Sequence, residues 1–486
     1  MATPHAFVTA ALAAVLALWM PRVHAQAPAL PEPVARALAE AGIPESAAAF
    51  YVHEIGAERP LIAAGAERSM NPASTIKLVT TYAALELLGP AFQWVTEAYA
   101  AGALSDGVLA GDLVLKGRGD PKLTLENFWL LLRSLRGRGL REIQGDLVLD
   151  RTYFAAKDHD PARFDEQPTR PYNTGPDALL VNFKAVRLLF VPDSEARLVR
   201  ILAEPALPQV QIVNRLTLVN GPCGDWAGRL KVDAQGGSAA TRLTFSGRYA
   251  ASCGERERSY SVLPHAHYVL GLFRELWREL GGTFTGTVRD GAVGPDARLI
   301  AAVESPALAQ VVRDMNKFSN NVMARQIYLT LGAEGAGEPA TPEKADRVIR
   351  EWLAGKGLLV PELMLENGSG LSRSERISAR NLGLLLLSSF RSPVMPELIA
   401  SLPLAAVDGT MKKRLSDADV AGQAHIKTGS LTGVRAIAGY VLDAQERRLV
   451  VVSIVNHPNA GNAQVAQDAL LAWIYNRADD TCCRRR

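Results

Sequence analysis

From Ser74 the chain reads STIKLVTTYAALELLG, with apolar residues at Ile76, Val79, Ala83 and Leu87. That spacing predicts a helix whose N-terminus holds Ser74 and which Gly89 closes. Upstream, residues 48–64 predict two strands around an Ile55-Gly56 turn, followed by a polar lead-in from Arg68 to Ala73 that contains Pro72. Residues 93–297 change character: short alternating strands (DLVLKG, GDLVLD, RLLFVP, QIVNRLTLV, TRLTFSG) are broken by Gly, Pro and Asp. A helix near Tyr268–Leu280 closes that stretch. Helical periodicity returns over 307–331, 342–356 and 379–391. The C-terminal part predicts a strand at His425–Ser430, a hairpin of VRAIAGYVL and RLVVVSIV around Asp443–Arg447, and an amphipathic helix over 462–477. A hairpin near one end and strands near the other imply one sheet assembled from both ends of the chain.

The 486 residues are too many for one ordinary domain. The expected organisation is 1–25 signal peptide, 26–92 first part of a domain, 93–297 β-rich insertion, 298–478 second part of that domain, and 479–486 tail. The signal-peptide reading rests on the uncharged apolar run Ala6–Met20 and on Val23-His24-Ala25, which offers cleavage after Ala25. No later run is apolar enough to span a bilayer, which leaves a protein outside the cytoplasm, in the periplasm. A formal charge of +3, with no basic block, gives no footprint for nucleic acid. Cys223 and Cys253 stand 30 residues apart in the strand-rich region, and an oxidising compartment allows them to bridge. Cys482 and Cys483 are adjacent, a poor geometry for a mutual bridge. No Cys or His spacing suits a metal, and no metal or organic cofactor is expected.

The candidate chemistry begins with Ser74-Thr75-Ile76-Lys77, an S-x-x-K tetrad. Residues at i and i+3 share a helix face, so Lys77 stands over the Ser74 hydroxyl. A serine needs a base to become a nucleophile, and a desolvated lysine can be that base. Alone, such a tetrad is common. Here Ser319-Asn320-Asn321 supplies an S-x-N in a polar break beside a helix, and Lys427-Thr428-Gly429-Ser430 supplies a K-T-G on a strand that opens a hairpin. The three stand in the order of the penicillin-recognising serine enzymes. No serine has glycine two before and two after it, so a nucleophile elbow is absent, and no histidine stands in a triad-like setting.

With these motifs the sequence resembles the class C low-molecular-mass penicillin-binding proteins, the D-alanyl-D-alanine carboxypeptidase/endopeptidase family of the penicillin-binding protein 4 type. The gap from Ser74 to Ser319 is far longer than in class A β-lactamases. Family-like stretches recur at 117–121 (GRGDP), 145–154, 172–183, 319–327, 367–373 (NGSGLSR), 407–414 and 426–441. Three positions depart: the family commonly has Asp at Asn367, Glu at Arg325 and Asp at Asn320. The resemblance implies that the divided domain is an α/β (α+β) transpeptidase/β-lactamase-like domain, an antiparallel sheet flanked by helices, interrupted by a two-part insertion of two nested subdomains. It implies Ser74 as nucleophile, Lys77 as base, Ser319 and Lys427 in proton transfer, and Asn321 on a substrate amide. Thr428, Gly429 and Ser430 would bind substrate, with Ser430 N–H in the oxyanion hole. The implied partners are peptidoglycan stem peptides, with β-lactams as covalent inhibitors; a homodimer and a peripheral membrane contact stay open. A diaminopimelate side chain of such a peptide would find its ammonium at Asp150, its carboxylate at Arg373 and its methylenes on Leu431. The alternatives are a β-lactamase or serine esterase on the same fold, and a wall-binding protein with a weakened site.

Overall fold

The computed structural model describes residues 30–155, 159–237 and 240–477. The leader, its cleavage site, Cys482 and Cys483 lie outside them. Strands β1 (Ala48–Glu54), β2 (Ile62–Ala64), β3 (Ala424–Leu431), β4 (Val434–Leu442) and β5 (Arg448–Asn456) form one antiparallel sheet in the order β3-β4-β5-β1-β2. The two ends of the chain do build it together.

Strands β4 and β5 read as almost unbroken apolar runs because both faces of the sheet are covered. Ala436, Ala438 and Tyr440 of β4 point to one core, and Ile437 and Val441 to the other. The first core receives helices α1 (Lys77–Leu87), α2 (Leu308–Lys317) and α3 (Asn321–Ala336), together with Ala379–Phe390. The second receives helix Glu32–Glu40 and the terminal helix Gln464–Asn476, which pack on each other.

Between α1 and α2 the chain leaves to build the insertion. Its outer part is a seven-stranded sheet that includes Val95–Ser105, Val108–Lys116 and Leu147–Asp150. Helices Leu125–Gly137 and His265–Glu279 share its apolar core. Its inner part has two three-stranded sheets, Val186–Asp193 with Leu198–Glu204 and Arg256–Tyr260, and Val210–Val219 with Thr241–Ala250 and Leu230–Gly236. A disulfide joins Cys223 to Cys253, with Cα atoms 4.6 Å apart.

Two expectations need correction. The insertion was expected to hold one helix and holds a second at Leu125–Gly137: Phe128, Leu131, Leu132 and Leu135 are buried at helical spacing, and Thr124 caps the start by accepting from Asn127 N. The boundary at 297 also cuts off strand Arg298–Glu304, which pairs antiparallel with Val95–Ser105 and so belongs to the insertion's sheet.

Candidate active site

Ser74 lies in a 3-10 turn, Ala73–Ile76, that runs directly into α1. The turn is tied from several sides. Asn71 Oδ1 accepts from Ala73 N at 2.9 Å, and Asn71 itself bonds Asn456 and the Ser372 carbonyl. Pro72 O accepts from the Thr75 hydroxyl at 2.8 Å. Ala73 has φ +46°, a left-handed conformation unfavourable for a residue with a Cβ and held here by these bonds.

One helical turn later, Lys77 is fully buried. Its Nζ stands 3.0 Å from Ser74 Oγ and 2.7 Å from Asn321 Oδ1, and it also donates to the Ser369 carbonyl. Burial pushes the Lys77 ammonium well below the usual lysine range, the positive charge of Lys427 pushes the same way, and Glu375 pulls it back up. A lysine of lowered pKa beside a serine hydroxyl is equipped to accept its proton.

The S-x-N motif sits where α2 ends and α3 begins. Ser319 has φ +56°, which turns the chain sharply between the two helices. Asn320 is the N-cap of α3, its side chain accepting from Met323 N at 3.0 Å. A short acceptor side chain is what this position needs, so Asn in place of Asp changes nothing in the cap. Ser319 Oγ then lies 2.8 Å from Lys427 Nζ, on β3. Burial pushes Lys427 down to about 7.

Strand β3 approaches Ser74 closely. A Cβ on Gly429 would come within 3.0 Å of Ser74 N and 2.8 Å of Pro72 O, so only glycine fits between strand and turn. Thr428 Oγ1 and Thr410 Oγ1 are 2.6 Å apart, and Ser430 is exposed at the mouth. The structure thus gathers Ser74, Lys77, Ser319, Asn321, Lys427, Thr428, Gly429 and Ser430 around one opening.

Two contributors were given no role from the sequence, although Ser369 lies in the family-like stretch 367–373. The Ser369 carbonyl reaches Lys77 from the N-G-S-G loop. That loop is organised by Glu375, a fully buried carboxylate that accepts from Asn367 N at 3.1 Å and Gly368 N at 2.9 Å. Burial pushes the Glu375 carboxyl up against the pull of these N–H groups. Asn367 Oδ1 accepts from Ser369 N and the Ser369 hydroxyl, the service an aspartate would give. Arg325 is buried, donates to the Thr174 carbonyl at 2.9 Å, and is pushed down to about 10 by burial.

The expected side-chain pocket is only partly assembled. A cavity of about 1480 Å³ lies between the insertion and the N-G-S-G loop, and Arg373, Arg325, Glu366 and Phe164 line it. Arg373 donates to the Thr432 carbonyl and covers the Phe164 ring at 4.7 Å. Leu431 is half-buried at the end of β3. Asp150 is not in the wall. It is buried, with Oδ1 accepting from Thr152 N and Oγ1 and Oδ2 from Val293 N. A carboxylate so occupied has no room for a substrate ammonium, and the assignment of Asp150 is withdrawn. Its neighbour Arg151 lines the cavity, paired with Asp177 and Asp290.

The fold and the motif set define a serine hydrolase of the penicillin-recognising class. Residues 30–476 match the model of the D-Ala-D-Ala carboxypeptidase 3 (S13) family, and the chain belongs to that family. It is 30% identical over 414 residues to a D-alanyl-D-alanine carboxypeptidase of Actinomadura sp. (strain R39), covering 82% of this chain and 76% of that one. It is 25% identical to D-alanyl-D-alanine carboxypeptidase DacB of Haemophilus influenzae, over 81% and 82% of the two chains. The crystal structure of penicillin binding protein 4 (dacB) from H. influenzae superposes with a TM-score of 0.76 at 24% identity, covering 90% of this chain and 98% of that one. The protein is a serine-type D-Ala-D-Ala carboxypeptidase.

Proposed function

We propose that Ser74 is the nucleophile and Lys77 its base in hydrolysis of the D-alanyl-D-alanine bond of peptidoglycan stem peptides in the periplasm. The observation that carries this is the 3.0 Å approach of Ser74 Oγ to the Nζ of a wholly buried lysine. Neutral Lys77 takes the Ser74 proton as Oγ attacks the carbonyl carbon. The backbone N–H groups of Ser74 and Ser430 receive the developing oxyanion. As the C–N bond breaks, Ser319, bonded to Lys427, relays the proton held by Lys77 to the leaving amine, which returns Lys77 to its neutral form. Water then hydrolyses the Ser74 ester, with Lys77 again accepting a proton.

Asn321 gives its carbonyl oxygen to Lys77, which leaves Nδ2 to donate to a substrate carbonyl. Lys427 and Thr428 attract the terminal carboxylate. Arg373, on the cavity wall, meets a carboxylate of the stem-peptide side chain. Endopeptidase cleavage of cross-links uses the same steps, because the acyl group is again D-alanyl and the leaving diaminopimelate amine also carries an adjacent carboxylate.

The test is covalent. A penicillin is expected to add one antibiotic mass to the intact protein, on the peptide that contains Ser74, and Ser74→Ala is expected to remove the adduct. Labelling of the alanine variant at the wild-type rate would sink the assignment.

A further inference from the structure

Residue 435 lies outside every motif that defines the chemistry. Arg435 stands on β4 directly opposite Ser430 of β3 in the sheet register. Its Nη1 donates to Ser430 Oγ at 3.1 Å and its Nη2 to the Gly461 carbonyl at 3.2 Å. Among the described residues it forms no ion pair, and its Nε is buried without a partner. Burial pushes Arg435 below the usual arginine range, and the like charge of Arg414 pushes the same way.

An incompletely satisfied, half-buried guanidinium is costly unless an anion arrives to pair with it. Geometry shows where that anion would sit. A guanidinium only donates, so Arg435 fills a lone pair of Ser430 Oγ and the hydroxyl proton must point elsewhere. Ser430 is exposed, so that proton is directed to the cleft. Thr428 precedes it by two residues and shares its face of the strand. The Thr428 hydroxyl is hydrogen-bonded to that of Thr410, 2.6 Å away.

We infer that Arg435 is a positioning and specificity residue: it orients the Ser430 hydroxyl as a donor and supplies positive charge for the carboxylate that follows the scissile bond. Thr428, Ser430 and Arg435 then form a carboxylate-recognition edge along β3 and β4, beside the ammonium of Lys427. The inference rests on the reading of Ser74 as the acylated residue, since the carboxylate is that of the acylating ligand.

A two-by-two comparison tests it. Acylation efficiency is measured for wild type and Arg435→Ala with benzylpenicillin and with its methyl ester, which lacks the charged carboxylate. Arg435→Ala is expected to lower efficiency roughly tenfold to a hundredfold for the free acid, the range for a hydrogen bond to a charged group, and about twofold or less for the ester. Arg435→Lys should recover part of the loss on the acid. Equal loss on both ligands would mean that Arg435 merely supports the Gly461 segment, and no loss on either would mean that it does not act; each overturns the inference. Arg435→Gln, which keeps length and a donor, serves if the alanine variant unfolds, with the same required difference between ligands. Absence of any Ser74 adduct in wild type would overturn the proposed nucleophile instead.

Discussion

The catalytic body and the insertion both bury an apolar core and differ in the charge that they bury beside it. The insertion's core is leucine, phenylalanine and tryptophan, with Phe273 stacked on Trp277 and edge-on to Phe284, and a disulfide fastens its inner part. The body buries an apolar core too, but close to Ser74 it also buries Lys77, Lys427, Glu375, Arg325 and Lys317. Of these, Lys317 is paired with Asp408, whereas Lys77 and Lys427 are held by hydroxyls, an amide and carbonyl oxygens. The difference teaches where each region spends its stability. The insertion is organised to stay folded, and the body carries desolvated charge, which lets the lysine beside Ser74 give up its proton below the usual lysine range.

Substitution at the base is the strongest way to sharpen this contrast. Lys77→Arg puts a side chain that stays protonated where the lysine can shed its proton, and so removes the base. Penicillin acylation is expected to fall by about 10²–10⁴-fold with little change in thermal unfolding. Retained acylation would place the base elsewhere.

Phe273→Ala should do the reverse. It is expected to cost about 4 kcal/mol of stability, through lost burial and the cavity left behind. Acylation of the remaining folded protein is expected to keep its rate. A matching fall in rate would show that the insertion's core sets the geometry of the site.

Removal of the disulfide by Cys223→Ser with Cys253→Ser opens a loop of 30 residues. The expected loss in denaturant unfolding is about 3 kcal/mol, and acylation should again be unchanged. Equal stability of the bridged and unbridged proteins would remove the staple from the account.

The smallest effect is a shift in pH dependence. Acylation requires neutral Lys77, so it rises with pH through the Lys77 pKa. Lys427 must be protonated to attract the carboxylate, so efficiency falls as pH rises past about 7. The charges acting on Lys77 are Lys427 on β3, Arg325 on α3 and Glu375 on the N-G-S-G loop. Glu375 is the one that favours the ammonium, so Glu375→Gln, which keeps the acceptor for the loop N–H groups, should move the rising limb to lower pH by up to about one unit. Arg325→Met should move it to higher pH. Shifts in the same direction would show a change of loop shape in place of a change of charge.

The site was largely legible because its core is local or motif-borne. Lys77 stands over Ser74 by helix periodicity alone, and the i, i+3 spacing gives the 3.0 Å approach. Gly429 had to be glycine because a strand passes against the Ser74 turn. The supports were not legible. Glu375, the Ser369 carbonyl and Arg435 reach their partners through folding of a loop or pairing of strands, and although Ser369 and Arg435 lie in family-like stretches, local spacing does not reveal those contacts. Asp150 was misread for the same reason: a carboxylate at a strand end looks free until the Val293 and Thr152 donors are folded onto it. The helix Leu125–Gly137 was hidden in a region whose strands dominate the pattern.

The sequence by itself determined the class of chemistry, the sheet shared by both ends of the chain and the presence of an insertion between α1 and α2, because motif order, periodicity and nearest-neighbour spacing are local properties of a chain. Only the tertiary structure decided which carboxylate faces a cavity and which is consumed by a turn, which charges surround Lys77, and that Arg435 stands behind Ser430. Those relations join residues far apart in the sequence or across paired strands, and they depend on burial and distance, which exist only once the chain has folded.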